Sequence, residues 1–174
     1  MTPEFSRPER IDAIGERART VAIEAGEGER AALAERFGLV SIESLAAELT
    51  LRREAAGIAA RGRVTAEVVQ ACVVTDAPVP ARIDEDVALL FVPEGGEGDE
   101  EIELSAEDLD VVPYAGGAID LGEAAAETMA LALDPFPRAP DAEAALRAAG
   151  VLTEEEAKPA GALAGLKDAL ERKR

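Results

Sequence analysis

The chain has 174 residues, 36 Asp and Glu against 18 Lys and Arg, and a net charge of −18. That length fits one domain with tails rather than two cores. Hydrophobic residues make up 48%, but aromatics only 3%, with no Trp and no His; a core of Ala, Val and Leu is expected, and nucleophile pairs or zinc sites built on imidazole are excluded.

At the N-terminus, MTPEFSRPERIDAIG has no basic stretch leading into an apolar one, and no run approaches the roughly 18 apolar residues of a membrane span. A cytoplasmic protein is expected, and one Cys forms no internal disulfide. The alternation in RTVAIEA (19–25) predicts a strand. A helix follows over Glu27 to Phe37, with Gly38 as its stop. A second strand is predicted over Glu43 to Arg53, with Leu45, Ala47, Leu49 and Leu51 on one face. After the turn EAAG, Ile58 to Thr75 is extended, with Val64, Ala66, Val68, Gln70 and Cys72 on one face and a bulge or bend at Gly62. DAPVP turns the chain again, and Arg82 to Val92 returns with Ile83, Val87, Leu89 and Phe91 facing in. Three strands so ordered predict an antiparallel meander.

PEGGEGDEE (93–101) has no apolar anchor and is expected to be a mobile loop, with EIELS after it as a short edge strand. Asp120 is a good N-cap, and Glu123 completes a capping box ahead of a helix ended by Pro135. Leu121, Ala125, Met129 and Ala132 form its apolar stripe, which would cover one face of the sheet. A short helix over Ala142 to Ala149 is capped by Asp141 and closed by Gly150. The fold class expected is α+β: an antiparallel meander or partly open barrel packed by two to three helices. Residues 1–150 form that domain, and 151–174 a largely disordered charged tail.

Charge is unevenly placed. Residues 83–137 hold 16 acidic and no basic side chains, so this third repels phosphate and attracts cations. Asp84, Glu85, Asp86, Glu97, Asp99, Glu100, Glu101 and Glu103 are candidates for a face that docks a basic protein. Carboxylate pairs alone do not make a glycosidase, because apolar and aromatic neighbours that would enclose them are scarce. The spacing of a calcium loop is missing, and the glycines at 95, 96 and 98 lack the Lys and Ser/Thr of a phosphate loop. Arg52, Arg53, Arg61 and Arg63 lie on two strands joined by one turn and are the candidate RNA contact; Lys167, Arg172, Lys173 and Arg174 make a second basic group. No catalytic residue, metal ligand set or cofactor is assigned.

Two segments, ACVVTDAPVPARIDEDVALLFVP from Ala71 and AIDLGEAAAETMALALDPFPRAP from Ala118, resemble the YceD family of large ribosomal RNA subunit accumulation proteins. The features matched are a Cys ending a strand (Cys72), an acidic loop, an Ile-Asp-Leu helix start (Ile119, Asp120, Leu121) and a Pro-rich stop. KPAGALAGLK in the tail resembles an element that relatives keep near their C-terminus. The resemblance implies a non-enzymatic factor in accumulation of 23S ribosomal RNA and assembly of the 50S subunit. Its expected partner is a large-subunit ribosomal protein or pre-50S particle, with rRNA touched directly or indirectly, no membrane and no small-molecule substrate. Many relatives carry a second Cys three positions on, and some carry more near the C-terminal helices, which suits zinc; here Thr75 stands at the matching position and the later Cys are missing. Two other classes remain open: an acidic chaperone-like module without a ribosomal tie, and an enzyme using the Cys72 thiol, which Arg82 across the turn would activate.

Overall fold

The computed structural model describes residues 3–94 and 109–152. In chain order they form β1 (Pro8–Arg10), a 3-10 turn (Ile11–Ala13), β2 (Arg19–Glu24), α1 (Glu27–Phe37), β3 (Ser41–Arg53), β4 (Ile58–Ala71), β5 (Pro78–Pro93), β6 (Asp110–Tyr114), β7 (Ala118–Asp120), α2 (Leu121–Leu131) and α3 (Ala142–Ala148). The class is α+β, as expected. A five-stranded open sheet runs β2-β3-β4-β5-β6, antiparallel except for the parallel β5–β6 pair, and a two-stranded ribbon joins β1 to β7. Among the described residues no helix is long and apolar enough to cross a membrane.

The period-two pattern places its apolar residues as expected. Leu45, Ala47, Leu49 and Leu51 of β3 are buried, as are Val64, Ala66, Val68 and Gln70 of β4 and Ile83, Val87 and Phe91 of β5. α2 lies against β1, β3, β4 and β5, covering that face with Leu121, Ala125 and Met129. Ala124 and Ala126 are buried too, so small side chains let the helix seat more than a stripe. α1 packs on β3 through Leu33 and Ala34 and ends in left-handed Gly38.

Several expectations need correction. Pairing with both neighbours runs through Gly62 without a shift, so there is no bulge there; the irregularity lies between Ile42 and Ser44. β4 stops at Ala71 rather than Thr75. The turn falls at Cys72–Ala77, held by Cys72 N–H to the Ala77 carbonyl (2.8 Å) and Asp76 N–H to the Cys72 carbonyl (3.0 Å), with Asp76 in the left-handed region. Pro78 and Pro80 are therefore strand residues. They are tolerated because β6 pairs with β5 only from Leu89 onward, leaving this half of β5 an edge where a missing N–H breaks no second ladder. β1, β6 and β7 are additional strands. The anticipated acidic loop is described only as far as Glu94; EIELS and the tail beyond Leu152 lie outside the described residues.

Ion pairing ties the N-terminal segment to α1. Arg7 reaches both oxygens of Glu29 at 2.7 and 2.8 Å, and Glu29 also accepts from Gly26 N–H at 2.7 Å. The Arg7 guanidinium, then that amide, hold the Glu29 carboxyl below its ordinary value of 4.5. A lowered folded-state pKa contributes stability that is full above the unfolded value and is lost as pH falls through the folded one. Glu29→Gln is thus expected to be less stable than the native protein at pH 7, with the difference narrowing as pH falls below 4.5. Urea unfolding at stepped pH checks this, and a gap independent of pH would reject it.

Candidate partner-binding site

The acidic and basic candidates meet on the exposed face of the β3–β5 sheet. Register places Arg63 of β4 directly opposite Asp86 of β5. Its guanidinium reaches Asp86 at 3.0 Å and Asp84 at 3.1 Å. Both carboxylates remain largely exposed, so screening keeps these cross-strand bonds weak. Glu85 points to the other side of the strand and makes no ion pair with a described residue. Glu97, Asp99, Glu100, Glu101 and Glu103 lie outside the described residues.

The four arginines do not stand as one strip. The hairpin between β3 and β4 is closed by Glu54 N–H to the Gly57 carbonyl at 2.8 Å. Its Glu54 carboxylate accepts from Arg52 at 2.9 Å and from Arg61 at 3.2 Å, and Arg61 is the first cause of its lowered pKa. Arg53 turns away to the N-terminal segment, donating to the Ile14 carbonyl at 2.9 Å and to that of Ile11. Each guanidinium thus has a protein acceptor, and a phosphate would have to compete with it.

The Ile-Asp-Leu start is a lock for the N-terminal segment. Ile119 and Leu121 are buried, while Asp120 carries the bonds. One Asp120 oxygen accepts from the N–H groups of Arg7 (2.8 Å), Gly122 (3.0 Å) and Glu123 (3.2 Å); the other takes the Ser6 hydroxyl. The side chain of Glu123 does not complete the expected box but receives the Arg36 guanidinium, at 2.7 Å and 3.0 Å. A Cβ on Gly122 would lie 2.3 Å from the Phe5 carbonyl oxygen, so the glycine lets the first residues pass against the helix start. Composition and periodicity give no sign of this clasp; a Gly two positions after a capping Asp is the available signal.

Cys72 sits in a satellite cluster with Ala139 and Ala142. Its sulfur accepts from Ala139 N–H at 3.2 Å and Val74 N–H at 3.4 Å. The Thr75 hydroxyl, buried without a well-formed hydrogen bond, turns its dipole on the same atom. The Ala139 amide, then Thr75, then Val74 lower the thiol to about 7 against the opposing effect of burial. Arg82 is not among the causes of this shift. Thr75, Ala139 and Ala142 are neighbours of this sulfur and none offers a second thiolate, so the residues present do not fit a zinc ion. Among the described residues no group of three or more His, Cys, Asp or Glu side chains is placed to hold a metal. Cys72 is 0% exposed, so a thiol reagent is expected to label it only as the chain unfolds. Labelling of native protein as fast as a model thiol would contradict this.

A groove lies between α2 and the β5–β6 side of the sheet, lined by Glu85, Val87, Asp110, Glu127 and Leu131 among others. A family model described as "Large ribosomal RNA subunit accumulation protein YceD" matches residues 60–168, from β4 through both of the later helices. No curated protein and no solved structure matches the chain.

Proposed function

The chain belongs to the YceD family of large ribosomal RNA subunit accumulation proteins, and from that premise we propose that it acts by holding a cationic partner rather than by transforming a substrate. Its general role is accumulation of large-subunit ribosomal RNA. The finer reading is a non-enzymatic factor in 23S rRNA maturation and 50S assembly that binds a basic ribosomal protein or the pre-50S particle carrying it.

The observation that supports this reading is the absence of any Lys or Arg between Arg82 and Arg138, where 16 carboxylates are placed. The described part of that segment includes most of β5 with β6, β7 and α2, and its Glu85, Asp110 and Glu127 line one groove between α2 and the β5–β6 strands. Such a field steers a cationic protein inward and raises its association rate, with a strong dependence on ionic strength. The arginines of β3 and β4 do not offer RNA an equal surface, because they are engaged by Glu54, Asp84, Asp86 and main-chain carbonyls. A thiol enzyme is disfavoured by the burial of Cys72.

Cosedimentation with pre-50S particles tests the reading. Converting Glu97, Asp99, Glu100, Glu101 and Glu103 to their amides is expected to weaken it by about tenfold at low salt and to flatten its salt dependence. Replacing Arg52, Arg53, Arg61 and Arg63 with Gln should leave it within about twofold in a protein of unchanged melting temperature. The reverse pattern would reject a protein partner in favour of direct RNA contact.

A further inference from the structure

We propose that the groove between α2 and the β5–β6 strands is the docking site, and that its occupant is a cationic amphipathic segment of a partner protein. This rests on the preceding reading and names the place and the chemistry.

The groove is about 500 Å3, within the roughly 300–1,000 Å3 of ligand clefts. Its floor is apolar: Val87 and Leu89 come from β5, Val112 from β6 and Ala124 from α2. At its lip Leu131 is 89% exposed at the end of α2, an isolated large side chain that a bound apolar group would cover. The rim is anionic. Glu85, Asp110 and Glu127 form no ion pair with any described residue, whereas Asp86, the fourth acid, is answered by Arg63.

A further negative contribution comes from α2 itself. Its C-terminal end, beside Leu131, carries no basic residue in the last turn, so its carbonyl-end potential is left uncompensated. Three elements therefore direct negative charge at one apolar trough, and none of its described lining residues is basic. Nucleic acid is repelled by such a rim, and a purely apolar peptide leaves the carboxylates unanswered. A segment with apolar side chains on one face and Lys or Arg flanking them satisfies both, the recognition mode of a helix in a groove.

The test uses the full chain and a fluorescent helical peptide of Lys and Leu with all Leu on one face. Two controls are a peptide of the same composition with the Leu scattered and a peptide of Lys alone. The one-faced peptide is expected to bind about tenfold tighter than either. Leu131→Ser is expected to remove that preference, and Glu85→Gln with Asp110→Asn and Glu127→Gln to weaken all three peptides. Leu131 and the acids sit at the surface, so melting temperatures should stay close to the native value. Equal binding of the one-faced and scattered peptides, or indifference to Leu131→Ser, would overturn the groove. If pre-50S cosedimentation remained salt-sensitive in those variants, the proposed function would stand while the groove fell. Cosedimentation indifferent to loop neutralisation, with peptide binding intact, would leave the groove standing while the proposed function fell.

Discussion

Replacing Asp120 with Ala is expected to destabilise the protein by about 3 kcal/mol, because one side chain serves as both a helix cap and a clasp. The cap alone accounts for about 1 kcal/mol through Gly122 and Glu123. The remainder comes from the Arg7 amide and Ser6 hydroxyl, part-buried donors that lose a charged acceptor. Freed of that acceptor, the segment around Phe5, which is fully buried, should open before the rest of the sheet. Asn keeps one acceptor oxygen and is expected to restore about half of the loss. Urea titration gives the magnitude, and hydrogen exchange at the Arg7 amide gives the location. A loss under about 1 kcal/mol, or exchange at Arg7 no faster than in the native protein, would refute the clasp.

Gly62→Ala should be as costly, at about 3 kcal/mol or more. The added Cβ would sit 1.9 Å from the Glu48 carbonyl oxygen and 3.0 Å from the Leu49 Cα, both main-chain atoms of β3. β4 cannot retreat, since β5 is paired with it through Val87 on the other side. Gly28→Ala is the matched control. It lies within α1 with nothing inside 4 Å of its Cβ position, so the substitution should stabilise by about 0.5–1 kcal/mol by restricting the unfolded chain. At roughly 2–4 °C per kcal/mol, the two variants should melt on opposite sides of the native protein and about 8 °C or more apart. Similar melting temperatures would mean that β3 and β4 separate easily at Gly62.

The contrast between these glycines explains how much of the fold was legible. Period-two alternation located β2 to β5 and the faces they bury, and the cap-and-stop residues placed α1 and α2 to within a few residues, because those signals depend only on neighbours along the chain. Gly62 looked like a bulge since a glycine inside a strand has two meanings, and only the partner strand's carbonyl tells them apart. Pro78 and Pro80 read as a turn because the sequence does not announce that this half of β5 is an edge. β1 and β7 are three residues each, too short for any period to register; they exist because Asp120 and Gly122 gather the N-terminal segment.

The candidate site was legible in composition but not in arrangement. The block of acids without a cation was visible at once. That Arg63 answers Asp84 and Asp86 depends on β4–β5 register. That Glu85, Asp110 and Glu127 converge on one trough depends on β6 joining the sheet in parallel, with α2 folded beside it. The alternation predicts Cys72 on the inner face of a strand, whereas the structure buries it one residue past the end of β4 in a satellite cluster; its contact to Ala139 arises from the later segment crossing the turn.

Affinity capture of the tagged full chain from growing cells, with both RNA and protein read in the eluate, tests the central claim most directly. The account predicts basic large-subunit ribosomal proteins or pre-50S particles, retained at low ionic strength, released by moderate salt and diminished when the acidic segment is neutralised. An eluate without any large-subunit component, or one whose contents ignore both salt and the carboxylates, would contradict it.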